Sequence, residues 1–164
     1  MKSLAFIVAF FATTTLYAQI PQSQKGTLDF RILNFGIAAV VEGTSDRLDG
    51  TPTRTHGWLQ DLQIVKVTDS IPLKQKQNFG IVYQVDAKDT IMIAVDIEWI
   101  FPVAITNEKG ASYKSVRYTT KRPTNIPSGS TYSLDEPYEM VKGEWVENIY
   151  IGNQKVGSKT FFVY

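Results

Sequence analysis

The sequence contains few residue types that could perform covalent chemistry. Cysteine is absent, and His56 is the single histidine of the 164 residues. A nucleophile needs a base that a third group orients on rigid structure. The candidate base, His56, lies in the Gly-, Thr-, Asp- and Pro-rich segment Glu42–Gly57, and this composition predicts a long loop. A zinc site needs three or four ligands, and Asp46 and Asp49 lack the alternating spacing of a calcium loop. The sequence therefore predicts no catalytic residue, no metal site and no cofactor.

Two groups of carboxylates leave acid–base chemistry open as an alternative. Asp96 and Glu98 lie two residues apart on a predicted strand, and Asp135, Glu136 and Glu139 follow later. Carboxylates about 5–9.5 Å apart hydrolyse glycosidic bonds, so a hydrolase of envelope polysaccharide is the second function that we consider. Outward charges on a strand usually only keep its face solvated, and we prefer this interpretation.

Aromatic and arginine side chains are better candidates, because sugar- and protein-binding surfaces are rich in them. The interpretation of His56 as an ordinary exposed loop histidine remains open beside a binding role. The alternative for the tyrosines is cross-strand pairing on a half-buried sheet. The candidate binding set comprises Tyr113, Arg117, Tyr118, Arg122, Tyr132, His56 and Trp58.

The elements that would position these residues are β-strands. Phe79–Val85 and Ile91–Phe101 alternate apolar and polar residues, which is typical of half-buried strands, and Pro102 is predicted to end the second. The segment Tyr138–Tyr164 predicts a terminal hairpin that turns at Gly152-Asn153 and lies mid-sheet. The pattern predicts an all-β fold, an immunoglobulin-like antiparallel two-sheet sandwich of about 7–9 strands. A closed barrel is the alternative.

Two positions depart from this alternation. In the first strand the apolar parity switches just before Gly36, which predicts a bulge or a bend. Glu147 shares the inward parity of Trp145 and Ile149, and a buried carboxylate needs a partner. Arg31 is the candidate partner. A position of Glu147 near a sheet end or a bulge is the preferred explanation.

The N-terminal segment predicts export. Lys2, the apolar run Leu4–Ala12 and the small residue Ala18 form the pattern of a secretory signal peptide, and the run is shorter than the ~20 residues that span a bilayer. We expect a signal peptide over residues 1–18, a flexible leader over 19–26 and a single β-sandwich domain over 27–164. The protein would be periplasmic or secreted, with no membrane span in the mature chain.

The charge balance argues against nucleic acid as a partner. The chain has 17 basic and 16 acidic residues, and removal of Lys2 with the signal leaves equal numbers. A neutral chain with interspersed charges lacks the basic surface that nucleic acid or anionic membrane requires.

Short motifs between Leu28 and Val163 carry a family resemblance. They are Ile71-Pro72, Phe79-Gly80 with Tyr83, Phe101-Pro102, the run of Glu139, Gly143 and Trp145, and the closing Lys155-Val156 and Phe161-Phe162-Val163. Together they resemble the bacterial domain of unknown function 3859. The resemblance implies an exported immunoglobulin-like domain, and it supplies no activity or functional residue that could be transferred.

These observations favour a non-catalytic binding or interaction module that acts through loops or an exposed sheet edge. Its expected partner is an unknown protein or glycan of the cell envelope. The alternatives are the polysaccharide hydrolase and an assembly factor that lends a strand, which needs a long accessible edge.

Overall fold

The computed structural model describes residues 28–164, so the predicted signal peptide and leader lie outside it. Nine strands and one short 3-10 turn, Pro137–Glu139, form within this range. The strands are β1 Asp29–Arg47, β2 Thr55–Val67, β3 Ser70–Ile71, β4 Asn78–Asp86, β5 Met92–Thr106, β6 Ser112–Pro123, β7 Ser128–Ser133, β8 Gly143–Ile151 and β9 Gln154–Val163. No helix within residues 28–164 is long and apolar enough to cross a membrane.

The strands form two sheets, which confirms the all-β two-sheet prediction. Sheet A has four strands in the order β2-β1-β4-β7, and sheet B has five in the order β3-β9-β8-β5-β6. Neighbouring strands are antiparallel except β3 and β9, which pair in parallel over two residues. Strand β2 ends sheet A, and β6 and β7 are edge strands of opposite sheets.

Aromatic side chains from both sheets fill the core. Phe79 of β4 meets Trp99 and Trp145 edge to face, with ring centroids 5.6 and 5.9 Å apart, and all three side chains are almost fully buried. Edge-to-face pairs add about 0.5–1.5 kcal/mol each beyond the burial of their area. The alternation predicted for β4 and β5 therefore places the inward side chains correctly.

The C-terminal hairpin also agrees with its prediction. Strands β8 and β9 turn at Gly152-Asn153, and β8 lies in the middle of sheet B. The indole Nε1 of Trp145 donates a hydrogen bond of 3.0 Å to the carbonyl of Val141, which satisfies the polar atom of a buried ring.

The prediction that Pro102 ends β5 is wrong. The strand continues to Thr106, and its pairing with β6 lapses between Ile100 and Ile105. Proline cannot donate to a ladder, so it is tolerated at such an interruption. The carbonyl of Pro102 accepts a hydrogen bond of 3.1 Å from the Nζ of Lys114.

The prediction of a long loop over Glu42–Gly57 is also wrong. Strand β1 runs on to Arg47 and β2 begins at Thr55, with Asp46 opposite His56 in the ladder. Only residues 48–54 form the turn. The backbone of this polar segment pairs across its two strands, with a register shift between Glu42 and Ser45, and composition alone does not reveal such pairing. We call residues 42–57 the hairpin arm.

A bend in β1 directs the hairpin arm, in agreement with the predicted irregularity. The pairing of β1 with β4 shifts between Ile32 and Asn34. Gly36 follows at φ 138°, and a Cβ there would lie 2.1 Å from the carbonyl oxygen of Lys66. The first half of β1 therefore pairs with β4, and the second half leaves with β2 as a separate hairpin.

Candidate functional site

The hairpin arm lies over the opening between the edge strands β6 and β7. At its tip, Nδ2 of Asn107 donates to the carbonyl of Pro52 at 3.1 Å. Next to its turn, the ring of His56 packs against Tyr118 of β6 with centroids 4.4 Å apart. The arm thus contacts sheet B and closes the side of the sandwich.

A cavity of about 430 Å³ lies beside the base of the arm. Its volume falls within the range of small-molecule sites. Its principal side chains come from β2, β6 and β7 and are His56, Trp58, Asp61, Tyr118, Arg122 and Ser130. We call it the arm pocket.

Aromatic rings form part of its wall. His56 stands edge-on to Trp58, with centroids 4.9 Å apart and planes at 88°. The indole Nε1 of Trp58 donates a 2.6 Å hydrogen bond to Oδ2 of Asp46 across the arm, which fixes the orientation of the ring. Burial, and secondarily the positive charge of Arg122, lower the pKa of His56, while Asp46 raises it slightly. The imidazole is therefore neutral at neutral pH.

Arg122 supplies the positive charge of the arm pocket. Its Nε is buried and has no hydrogen-bond partner among the described residues. Its Nη1 makes one long contact, 3.5 Å, with the carbonyl of Lys121. Because Arg122 lines the arm pocket, its Nη groups are the donors that a planar anion in the pocket could meet.

A buried carboxyl group lies behind this wall. Glu147 of β8 has 0% exposure, and neither carboxyl oxygen has a hydrogen-bond partner in the described chain. Burial raises its pKa well above the ordinary value, and the nearby Ser130 hydroxyl opposes that rise. The enclosure of Glu147 thus favours the protonated, uncharged form of its carboxyl group.

Two further polar groups share this interior. The hydroxyl of Tyr83 and the hydroxyl of Ser130 are buried without a partner among residues 28–164. Burial raises the pKa of Tyr83 to about 12, with Arg122 opposing and Glu147 favouring the rise. We call Tyr83, Tyr118, Arg122, Ser130 and Glu147 the interior polar cluster.

The inward position predicted for Glu147 is correct, but both explanations offered for it are wrong. Arg31 lies elsewhere and forms a salt bridge of 2.8 Å with Asp86. Glu147 is not at a sheet end or bulge, because it pairs regularly with Trp99 of β5 and Lys159 of β9. It lies in the middle of β8, beside other polar groups from the opposite sheet.

A second, smaller cavity of about 160 Å³ lies under the rest of the arm, and His56 lines both. Its wall includes Glu139, which is 1% exposed. This carboxylate accepts hydrogen bonds from the Tyr132 hydroxyl at 2.7 Å and from the backbone N–H groups of Asp135 and Glu136 at 3.2 and 3.0 Å. These bonds hold the turn that leads into β8.

The structure thus brings four of the seven predicted binding residues together. His56, Trp58, Tyr118 and Arg122 line the arm pocket. The remaining three are placed elsewhere. Tyr132 packs in the aromatic core and lines the second cavity, and Tyr113 packs partly buried against the core. Arg117 pairs with Asp96 at 2.8 Å.

Sequence reasoning missed Ser130 and Tyr83. The alternation along β4 predicts that the Tyr83 side chain is buried, but it does not identify the polar groups that surround its hydroxyl. The position of Ser130 depends on β7 facing β8 across the core, which no local pattern encodes.

The paired carboxylates of β5 are engaged on the side of the strand away from the core. Asp96 accepts hydrogen bonds from Arg117 and from Thr119. Glu98 accepts from Asn148 and Tyr150 at 3.0 and 2.7 Å. Neither residue lines the arm pocket or the second cavity. Across residues 28–164, no group of three or more His, Cys, Asp or Glu side chains could hold a metal ion.

Comparisons with known proteins bear on the fold and the family. Residues 26–163 match the model of a family described as a domain of unknown function, DUF3859. An immunoglobulin-like protein from Pseudomonas aeruginosa superimposes with a TM-score of 0.61 at 18% identity, over 84% of this chain and 97% of that one. This similarity confirms the immunoglobulin-like fold.

A second solved structure is only distantly similar. It is the alkylpurine DNA glycosylase AlkC from Pseudomonas fluorescens bound to DNA with an abasic site analog, with a TM-score of 0.36 at 13% identity over 58% of this chain and 27% of that one. No curated protein matches the chain.

Proposed function

We propose that this chain, which belongs to the family described as domain of unknown function DUF3859, is an exported, non-catalytic binding module whose ligand occupies the arm pocket. The observation that carries the proposal is the convergence on one cavity of four side chains from two strands of opposite sheets, His56 and Trp58 of β2 and Tyr118 and Arg122 of β6. Aromatic rings beside an arginine are the side chains that dominate recognition surfaces.

The arm pocket contains groups for binding rather than for bond cleavage. His56 packs against two aromatic rings, those of Trp58 and Tyr118. A general base needs a partner that orients it toward a substrate proton. The nearby acidic residue, Asp46, instead accepts a hydrogen bond from Trp58. These contacts favour a role for His56 in shaping the pocket.

Export is the part of the proposal that rests on the N-terminal sequence pattern. A signal peptide over residues 1–18 would release a chain that begins at Gln19 and meets protein or glycan partners of the envelope. Mass spectrometry of the purified extracytoplasmic protein tests this. A mature N-terminus at Gln19 supports export, and an intact Met1 in the cytoplasm contradicts it.

Binding is tested with immobilised envelope polysaccharides, peptidoglycan fragments and peptides. The variant Trp58→Ala removes an aromatic wall of the pocket. The control Phe162→Ala removes an aromatic side chain that is 52% exposed on β9. The proposal predicts a ligand that binds the parent protein and the control, fails to bind Trp58→Ala, and is recovered chemically unchanged.

Two results would contradict it. Turnover of a bound polysaccharide would show a hydrolase. Binding that survives Trp58→Ala and is lost from Phe162→Ala would move the site to the outer face of sheet B.

A further inference from the structure

Arg122 differs from every other arginine of the chain. Arg31, Arg47, Arg54 and Arg117 each form a salt bridge with an aspartate. Arg122 forms none with any residue from 28 to 164, although it is half-buried and its Nε is fully enclosed. A partly buried charge without a counter-ion is costly. A ligand that supplies the counter-ion removes this cost and therefore binds more tightly.

The acidic residues near the arm pocket do not neutralise Arg122. Glu147 lies in the interior polar cluster, but neither of its carboxyl oxygens has a hydrogen-bond partner in the described chain, so it makes no direct bond to Arg122. Asp61 lines the pocket and is exposed, and its Oδ1 accepts the backbone N–H of Leu62 at 2.9 Å. It is not within salt-bridge distance of Arg122. Asp61 would repel a ligand with several negative charges, so the pocket suits a single anionic group.

The remaining groups of the pocket match a hydroxylated ring. Trp58 and Tyr118 offer aromatic surface on one side. Gln60, Ser128 and Ser130 also line the pocket, although the Oγ of Ser130 is buried in the interior polar cluster and has no hydrogen-bond partner within the described residues. Polar groups placed around an apolar surface fix the orientation of a small ligand.

We propose that the arm pocket binds a carboxylate-bearing sugar of the uronic acid class, with its carboxylate on the Arg122 guanidinium and its ring against Trp58 and Tyr118. The inference rests on the proposed binding function and adds the chemical class of the ligand. A planar carboxylate accepts two parallel N–H bonds from a guanidinium, which a neutral sugar cannot do.

Intrinsic fluorescence provides the readout. Trp99 and Trp145 are 1% and 0% exposed, so a ligand in the pocket acts chiefly on the emission of Trp58. The purified protein is titrated with D-glucuronate, with D-glucose, with the methyl ester of glucuronate and with a tripeptide that has a free C-terminal carboxylate. Calorimetry gives the affinities of the same ligands.

The proposal predicts that glucuronate binds at least about tenfold more tightly than glucose, the ester or the peptide, the scale of one charge-assisted pair. Arg122→Gln should remove that preference. Arg122→Lys should retain part of it, because lysine keeps the charge and loses the planar fork. Arg31→Gln, which alters an exposed arginine far along the chain, should bind like the parent protein. Thermal unfolding establishes that each variant is folded.

The other outcomes separate the two proposals. Equal binding of glucuronate, its ester and glucose to the parent protein, with loss in Trp58→Ala, would overturn the uronic acid and keep the arm pocket as a binding site. Tighter binding of the peptide would also overturn the sugar class. Ligands that bind without changing Trp58 emission would overturn the pocket itself.

Discussion

The sandwich buries two glutamates in different surroundings. Glu139, beside the 3-10 turn, accepts three hydrogen bonds, one from Tyr132 and two from backbone N–H groups. Glu147, in the interior polar cluster, accepts none from the described residues. Burial raises the pKa of both carboxyls, and at Glu139 the hydrogen bonds from Tyr132, Glu136 and Asp135 oppose the rise.

This difference distinguishes a structural carboxyl from one that lies beside a site. Buried polar groups are nearly always hydrogen-bonded, so a native exception requires an explanation. At Glu139 the bonds explain the burial, because they fix the turn that starts β8. At Glu147 the neighbouring arm pocket and the unpaired Arg122 offer the explanation, since groups with perturbed pKa values concentrate at functional sites.

The largest effect is expected for Glu139→Ala. The substitution leaves the Tyr132 hydroxyl and two backbone donors without their acceptor, and the free energy of unfolding should fall by about 2–4 kcal/mol. Urea denaturation measures this loss. Glu144→Ala, an exposed position at the start of β8, should change stability by less than about 0.5 kcal/mol. A comparable loss in both variants would remove the structural role assigned to Glu139.

Above mildly acidic pH, Glu147→Gln should increase the free energy of unfolding, whereas Glu139→Ala decreases it. The raised pKa of Glu147 means that the folded protein keeps a proton that the unfolded chain releases. The contribution of this retained proton to stability is complete below pH ~4.5. It is lost as the pH rises toward the pKa of Glu147 in the folded protein, by at most about 1.4 kcal/mol per pH unit. Glu147→Gln should flatten this decline and raise the melting temperature more at pH 8 than at pH 4.5.

The control for this experiment is Glu144→Gln, which should leave the pH profile unchanged. An unaltered slope in Glu147→Gln would show that Glu147 is ionised in the folded protein. The contrast between the two buried glutamates would then disappear.

Asn107→Ala should loosen the tip of the hairpin arm. Asn107 donates to Pro52 and also accepts from the backbone N–H groups of Lys109 and Ala111. We expect a loss of about 1–2 kcal/mol and faster amide hydrogen exchange over residues 48–54. Unchanged exchange there would mean that the packing of His56 against Tyr118 holds the arm instead.

Gly129→Ala should have the smallest effect on stability. A Cβ at Gly129 would lie 2.3 Å from Cδ2 of Leu62, but a leucine methyl can rotate away, so we expect a loss below about 1 kcal/mol. Both residues line the arm pocket, and ligand affinity should therefore change more than stability. The double variant with Leu62→Ala should restore affinity. A loss of stability without a change in affinity would contradict this arrangement.

The sequence carried the local part of this architecture. Strict alternation located β4 and the core half of β5, the Gly-Asn turn located the last hairpin, and parity alone placed Glu147 inside. The prediction of a loop for the hairpin arm is wrong because polar composition does not reveal strand pairing. The two strands of the arm are held by pairing with each other and by the hydrogen bond from Asn107 of a distant turn. The partners of Glu147 depend on how the two sheets face each other, which periodicity does not specify.

The binding set was recovered in part for the same reason. Tyr118 and Arg122 lie four residues apart on one strand, so the period of two places them on one side. Arg117 falls on the opposite side of β6 and pairs with Asp96. His56 and Trp58 join Tyr118 and Arg122 only because the bend in β1 turns the arm across β6.

The most direct test of the account is a ¹⁵N spectrum of the three tryptophan indoles during titration with D-glucuronate. Trp58 donates to Asp46 beside the arm pocket, Trp145 donates to Val141 in the core, and Trp99 is buried under the second cavity. The account predicts a saturable shift of the Trp58 signal that is lost in Arg122→Gln, with little change at Trp145. A Trp58 signal that stays in place at saturating ligand, or a shift centred on Trp145, would contradict the claim that the arm pocket is the binding site.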